Sequence, residues 1–266
     1  MDLVAPVLAG LAGLLVGSLA NRLIVREPGY VITDPRDLPE GADESLLDEL
    51  EPVPDDLPPV PVLALVRPGT WWRRWFPVTE VVMAGAFAAV VVGIGWHAWT
   101  LPVLFLAAAL VTLAAVDLRV YRIPDRIDFP AMGVGFAAIC VAALVAGEPE
   151  TIVGAAVGGV LYAGMLFLAH VISPRGMGWG DVKLAWLMGF FLGWFGYEGG
   201  SLGDQIVGPL RAVLLGAVIG SVLGVVSGGA YAIARRSTKV VFPYGPSLAA
   251  GCLIAVVWGV DPIWGP

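Results

Sequence analysis

Residues 101–130 read LPVLFLAAAL VTLAAVDLRV YRIPDRIDFP. Sixteen residues run from Leu101 to Val116 without a charge, and the acid that follows, Asp117, is trailed by Arg119, Arg122 and Arg126. An apolar run that ends in a cluster of bases is the pattern of a helix leaving a bilayer, because hydrocarbon is crossed by roughly 20 apolar residues and bases collect at the cytoplasmic boundary. A carboxylate at such a boundary is costly unless paired or wetted, which makes Asp117 a functional candidate. Pro124 then restrains the turn into the next apolar run.

The same pattern repeats along the chain. It is 266 residues long, 58% hydrophobic and 14% charged, with a mean hydropathy of +0.84, whereas soluble domains carry about a quarter charged residues. Eight apolar runs fall at 3–24, 78–98, 101–116, 129–146, 152–172, 182–197, 207–234 and 245–260. The expected fold is therefore all-α, a polytopic membrane bundle of about eight transmembrane helices. Three regions are expected: an N-terminal transmembrane anchor at 1–26, an acidic Pro-rich loop at 27–77, and a membrane-embedded domain at 78–266. The first run opens with Asp2 and carries Arg22 and Arg26 on its C-terminal side, the reverse of a signal peptide, so it is expected to remain as an anchor.

Fourteen of the fifteen bases, from Arg22 to Lys239, fall in alternate connections, whereas the opposite ones hold Glu148, Glu150, Glu198 and Asp204 with Arg211 alone. The positive-inside rule then puts both termini outside and makes Asp117 cytoplasmic. The loop from Glu27 to Asp56 carries eleven acids against Arg36. With prolines at 28, 35, 39, 52, 54, 58, 59 and 61, this composition cannot offset its ordering entropy and is expected to be largely disordered. Trp71, Trp72, Arg73, Arg74, Trp75 and Phe76 suit the headgroup level. The bases are scattered, so no nucleic-acid face is expected. Cys140 and Cys252 lie inside apolar runs and support neither a disulfide framework nor a metal site. His97 and His170 are expected at opposite faces and cannot share a metal.

A second boundary acid, Asp181, follows Gly176-Met177-Gly178-Trp179-Gly180 and precedes Lys183. Glycines permit irregular backbone and close helix approach. An even number of crossings separates the two acids, so Asp117 and Asp181 return to one face and form a candidate acid/base pair. Asp125 and Asp128 suit a helix start, where carboxylates face the positive end of the macrodipole. Lys183 either biases the charge of Asp181, meets an anionic substrate group, or simply obeys the topology rule.

These residues resemble the type IV prepilin peptidases, intramembrane aspartic proteases of the Gly-x-Gly-Asp type. The landmarks are Gly17-Ser18-Leu19-Ala20-Asn21-Arg22 with Arg26 in the first run, Asp117 to Asp125, Gly176 to Lys183, and Pro243-Tyr244-Gly245-Pro246 at the last run. The resemblance implies that Asp117 and Asp181 are catalytic, with Gly176, Gly178, Gly180, Lys183 and Asp125 as supporting residues. It implies a bacterial cytoplasmic (inner) membrane, a cytoplasmic active site, and prepilin or pseudopilin substrates that lose a short basic leader. Proteolysis needs no cofactor or metal. The family's second activity, N-methylation of the new terminus, would use S-adenosylmethionine. Many members carry paired Cys-x-x-Cys motifs in the loop after the first span, and this loop has no cysteine, a departure that bears on methylation and not on cleavage.

The competing reading is a proton-coupled transporter that relays protons through its membrane acids. It predicts charges near mid-membrane and symmetry between halves, whereas both acids here fall at one face. A serine protease built on Ser227 is less economical than helix packing by the small residues around it. The sequence leaves the oligomeric state open.

Overall fold

The computed structural model describes residues 3–26, 78–97, 99–120, 122–173, 177–235 and 242–259. Those residues form eight α-helices and no strand: α1 Val4–Arg26, α2 Val78–Ile94, α3 Thr100–Val120, α4 Asp125–Ala146, α5 Thr151–Ile172, α6 Trp179–Phe195, α7 Asp204–Arg235 and α8 Gly245–Ile254. A π-helical turn, Ala255–Gly259, continues α8. The all-helical bundle expected from the sequence is therefore present, one helix for each apolar run. The acidic Pro-rich loop, the Trp/Arg segment and Gly176 lie outside the described residues.

Helices α1, α3, α4, α5 and α7 each contain an apolar stretch long enough to cross a membrane. Their outward faces are those of a bilayer protein: Leu15, Val145, Val225 and Ile233 are each at least 70% exposed, an apolar surface that water would not tolerate. Helix α6 is different. It lies at the centre, touching α3, α4, α5, α7 and α8, and its core side chains Leu187, Met188, Phe191 and Trp194 are fully buried. Its 17 residues span about 26 Å, close to the hydrocarbon thickness of about 30 Å.

Lipid is as apolar as leucine, so burying side chains gives little drive for helices to associate in it; close packing supplies the attraction. Small residues permit that closeness at three seams. Between α5 and α6, a methyl on Gly158 would fall on the carbonyl oxygen of Gly189, and one on Gly193 would fall on that of Gly154. Between α7 and α8, Gly251 presses on the Gly220 backbone. Between α1 and α2, a Cβ on Gly13 would stand 2.7 Å from the Ala84 Cα, and one on Gly17 2.7 Å from that of Glu80. Polar pairs reinforce these seams: Asn21 Nδ2 donates to Glu80 Oε1 at 2.6 Å, and Trp194 Nε1 donates to the Thr151 hydroxyl at 3.2 Å.

Several helix ends overshoot the apolar runs that announced them by one to four residues, and three of these bear on the boundary acids. Helix α3 continues through Val120 instead of stopping at Val116, α6 begins at Trp179 instead of Val182, and α4 begins at Asp125 instead of Phe129. Apolarity marks where lipid begins and ends, whereas a helix continues into the polar boundary wherever caps and neighbours satisfy its termini. Asp117 and Asp181 are consequently helical residues, held with helical precision, and not members of the turns.

Candidate active site

Asp117 lies one turn before the end of α3, and Asp181 is the third residue of α6. Both are buried, at 6% and 8% exposure, and their carboxylates stand within direct electrostatic range of each other. The packing of α3 and α8 against α6 brings them together, a proximity that parity of crossings alone left open.

Each carboxylate is held by a glycine amide at a helix start. Gly245, first residue of α8, donates its N–H to Asp117 Oδ2 at 3.2 Å. Gly178, the N-cap of α6, donates its N–H to Asp181 Oδ2 at 3.2 Å. The first amides of a helix have no partner within it and carry partial positive charge, so a carboxylate set there is oriented and favoured. Asp181 thus also forms the acidic half of a capping box by reaching back to its own N-cap.

The glycines act by absence of a side chain. Gly178 has φ −68°, so it is not there for a left-handed backbone. A Cβ on Gly245 would stand 2.7 Å from Asp117 Oδ2, and one on Gly178 3.2 Å from Asp181 Oδ2. Gly180 admits the α3–α4 connection, since its Cβ would stand 3.1 Å from that of Ile123. Ile123 is 3% exposed and also lies against Gly245, so one apolar side chain fills the space beside both helix starts. Gly245→Ala is expected to displace the Asp117 carboxylate by about 1 Å and lower cleavage by about 10²-fold, with thermal stability in detergent little altered. Steady-state cleavage by a variant of normal melting behaviour checks this.

Lys183 does not turn to Asp181. It crosses to α4 and pairs with Asp125, its ammonium 5.8 Å from the centre of the Phe129 ring. Asp125 does open α4, as its helix-start reading required. Asp128 lies in the first turn of α4 too, but it is fully buried, and neither oxygen has a hydrogen-bond partner among the described residues. Gly245 and Ile123 were not picked out by sequence reasoning as site residues. Pro243-Tyr244-Gly245-Pro246 stood only as a landmark, and its one available physical signal was a Pro just inside a helix start. Ser227 bonds the Leu223 carbonyl at 2.6 Å and meets Ser247 at 3.2 Å, so it fastens α7 to α8 as its small-residue surroundings suggested.

Residues 104–228 match the type IV leader peptidase family, a stretch that contains both Asp117 and Asp181. Fold and match together define the class: a multi-pass membrane peptidase. A Xanthomonas campestris protein named prepilin leader peptidase/N-methyltransferase is 28% identical, over 98% of this chain and 93% of its own length. Proteins of the same name from Pseudomonas putida and Bacillus subtilis are 30% and 28% identical over 69% of this chain, which spans 59% and 66% of their respective lengths. The chain is similar to type IV leader peptidases, over residues 104–228 by the family match and nearly end to end by the Xanthomonas relative. No solved structure matches it.

The relatives' double name raises the question of a methyl donor. A cavity of about 370 Å³ opens between α1, α3 and α4, lined by Val16, Phe105, Ile127 and Val134, with Thr112 and Arg126 as its polar members. The Thr112 hydroxyl is donated to the Ala108 carbonyl at 2.7 Å, and no carboxylate is present to hold a ribose. That lining does not fit S-adenosylmethionine, and no methyl-transfer step is assigned to it.

Proposed function

We propose that the chain is an aspartic endopeptidase that removes the basic leader of a type IV prepilin or pseudopilin at the cytoplasmic face, with Asp117 and Asp181 as the catalytic pair. One observation carries the reading: two buried carboxylates, each oriented by a glycine amide at a helix start, share one end of a membrane bundle within electrostatic range. The relatives' names supply the substrate class. The bases Arg119, Arg122, Arg126 and Lys183 gather at that same end, as the positive-inside rule requires of a cytoplasmic face.

Two like charges so close favour a pair that shares one proton. The ionised carboxylate takes a proton from a water as its oxygen bonds to the scissile carbonyl carbon, and the neutral one gives its proton to the carbonyl oxygen. The resulting tetrahedral diol collapses. Its C–N bond breaks as the nitrogen takes the proton held by the first carboxyl and a diol hydroxyl returns one to the second. The pair ends in its starting state, and water has been divided between the two products.

Incubating the purified full chain in detergent with a prepilin, and measuring product mass, tests the reading. The expected loss equals the leader alone. An added methyl when S-adenosylmethionine is supplied assigns the second activity; absence of any cleaved product overturns the proposal.

A further inference from the structure

Lys183 touches one carboxylate of α4, Asp125, and acts electrostatically on a second, Asp128. Asp125 and Asp128 are three residues apart and so lie on one helix face, and Lys183 reaches them from α6, with which α4 is packed. The two acids have opposite environments. The Asp125 side chain is 58% exposed and paired with Lys183, whereas Asp128 is fully buried, with neither oxygen hydrogen-bonded among the described residues. Lys183 attracts the Asp128 charge and Asp125 opposes it. A buried carboxylate that lacks hydrogen bonds is poorly compensated, so the ammonium's direct contact is given to the acid that water could serve, while the acid that water cannot reach has only its longer-range attraction.

That arrangement suits an exchange. Lysine carries a compact charge on a flexible four-carbon stem, and a small swing toward Asp128 would release Asp125. In the first turn of α6, Asp181 and Lys183 are two residues apart and so point about 200° from each other. A peptide that met both Asp181 and the Lys183–Asp125 pair would have to cross the first turn of α6.

We propose that Asp125 is the subsite for a cationic side chain, lysine or arginine, of the substrate's leader, and that Lys183 holds the place until that cation displaces it onto Asp128. This rests on the leader-peptidase reading above. The exchange is balanced in charge: one ion pair, Lys183 with Asp125, becomes two, the substrate's cation with Asp125 and Lys183 with Asp128. The buried acid acquires its partner only when a basic leader arrives, and a neutral leader offers nothing to replace Lys183. The exposed acid therefore selects the substrate, and the buried one makes the displaced lysine a stable outcome.

The test is a double-mutant cycle on the full chain in detergent, using a prepilin with its natural basic leader and one whose leader lysines and arginines are glutamines. Neutralising the leader is expected to raise KM about tenfold for the unaltered enzyme, with kcat little changed. In Asp125→Asn both substrates should show the same raised KM. Equal losses on leader neutralisation in both enzymes overturn the subsite. Lys183→Gln guards against a merely structural clasp: with the placeholder gone, Asp125 is free, so discrimination between the two leaders should persist or sharpen. Its disappearance in Lys183→Gln overturns the proposal. Acetylating the substrate's N-terminus separates side-chain from terminal cations, and discrimination that depends on the free terminus instead of the side chains counts against the assignment. An unaltered enzyme that cleaves neither leader refutes the peptidase reading itself; one that cleaves both equally refutes the subsite alone.

Discussion

Asp117→Asn and Asp181→Asn are each expected to abolish leader removal, by on the order of 10²-fold to 10⁴-fold, while leaving a folded, membrane-inserted protein. The substitution separates shape from chemistry at this site. Asn keeps the volume of Asp and retains a carbonyl oxygen, so the acceptor role toward the Gly245 N–H or the Gly178 N–H survives. What is lost is the carboxyl that takes or gives a proton. At Asp181 a further small effect is expected, since a neutral side chain in the first turn of a helix forgoes about 0.3–1 kcal/mol of interaction with the macrodipole. That is too little to unfold the bundle and bears on stability alone. Because the two acids act as a unit, the double variant should be scarcely slower than either single one. Cleavage by either single variant within tenfold of the unaltered chain, at a normal melting temperature, rules out the pair.

The sequence made the bundle legible and the site only half so. Hydropathy finds helices wherever lipid touches the chain, which is why each of the eight apolar runs has its helix. It is blind at helix ends. Asp117 and Asp181 stood just beyond the apolar runs as boundary acids, whereas α3 and α6 include both. The partners of charged side chains were also hidden. Lys183, two residues from Asp181, is drawn across to Asp125, a choice fixed by the rotation of α6 against α4 and not by spacing along the chain. Asp128 is the helix-start acid its position announced, but its burial was not legible along the chain. The Gly245 amide shows the same limit: 128 residues separate it from the carboxylate it serves, and nothing local to it announces a hydrogen bond. The glycine run before Asp181 was read correctly for close approach. Its other supposed use, irregular backbone, does not apply at Gly178.

The glycine seam between α5 and α6 gives the largest expected change in stability. Gly158→Ala places a methyl on the Gly189 carbonyl oxygen and 2.5 Å from the Gly193 Cα. Both obstacles are backbone, so no side chain can rotate away, and the helices must separate along the face that Gly154, Gly158, Gly189 and Gly193 share. Overpacking of this kind costs about 1–3 kcal/mol, and here it acts where close contact supplies most of the association energy. Gly164, on the same helix, is the control. Nothing lies within 4 Å of where its Cβ would be, so Gly164→Ala should only improve helix propensity, by up to about 1 kcal/mol. Thermal unfolding in detergent is expected to move in opposite directions for the two variants. Activity should follow stability for Gly158→Ala, because α6 carries Asp181 and a displaced α6 separates it from Asp117. Equal melting temperatures for Gly158→Ala and the unaltered chain would mean that the two helices do not meet through their glycines, and the central position of α6 would then have to be abandoned.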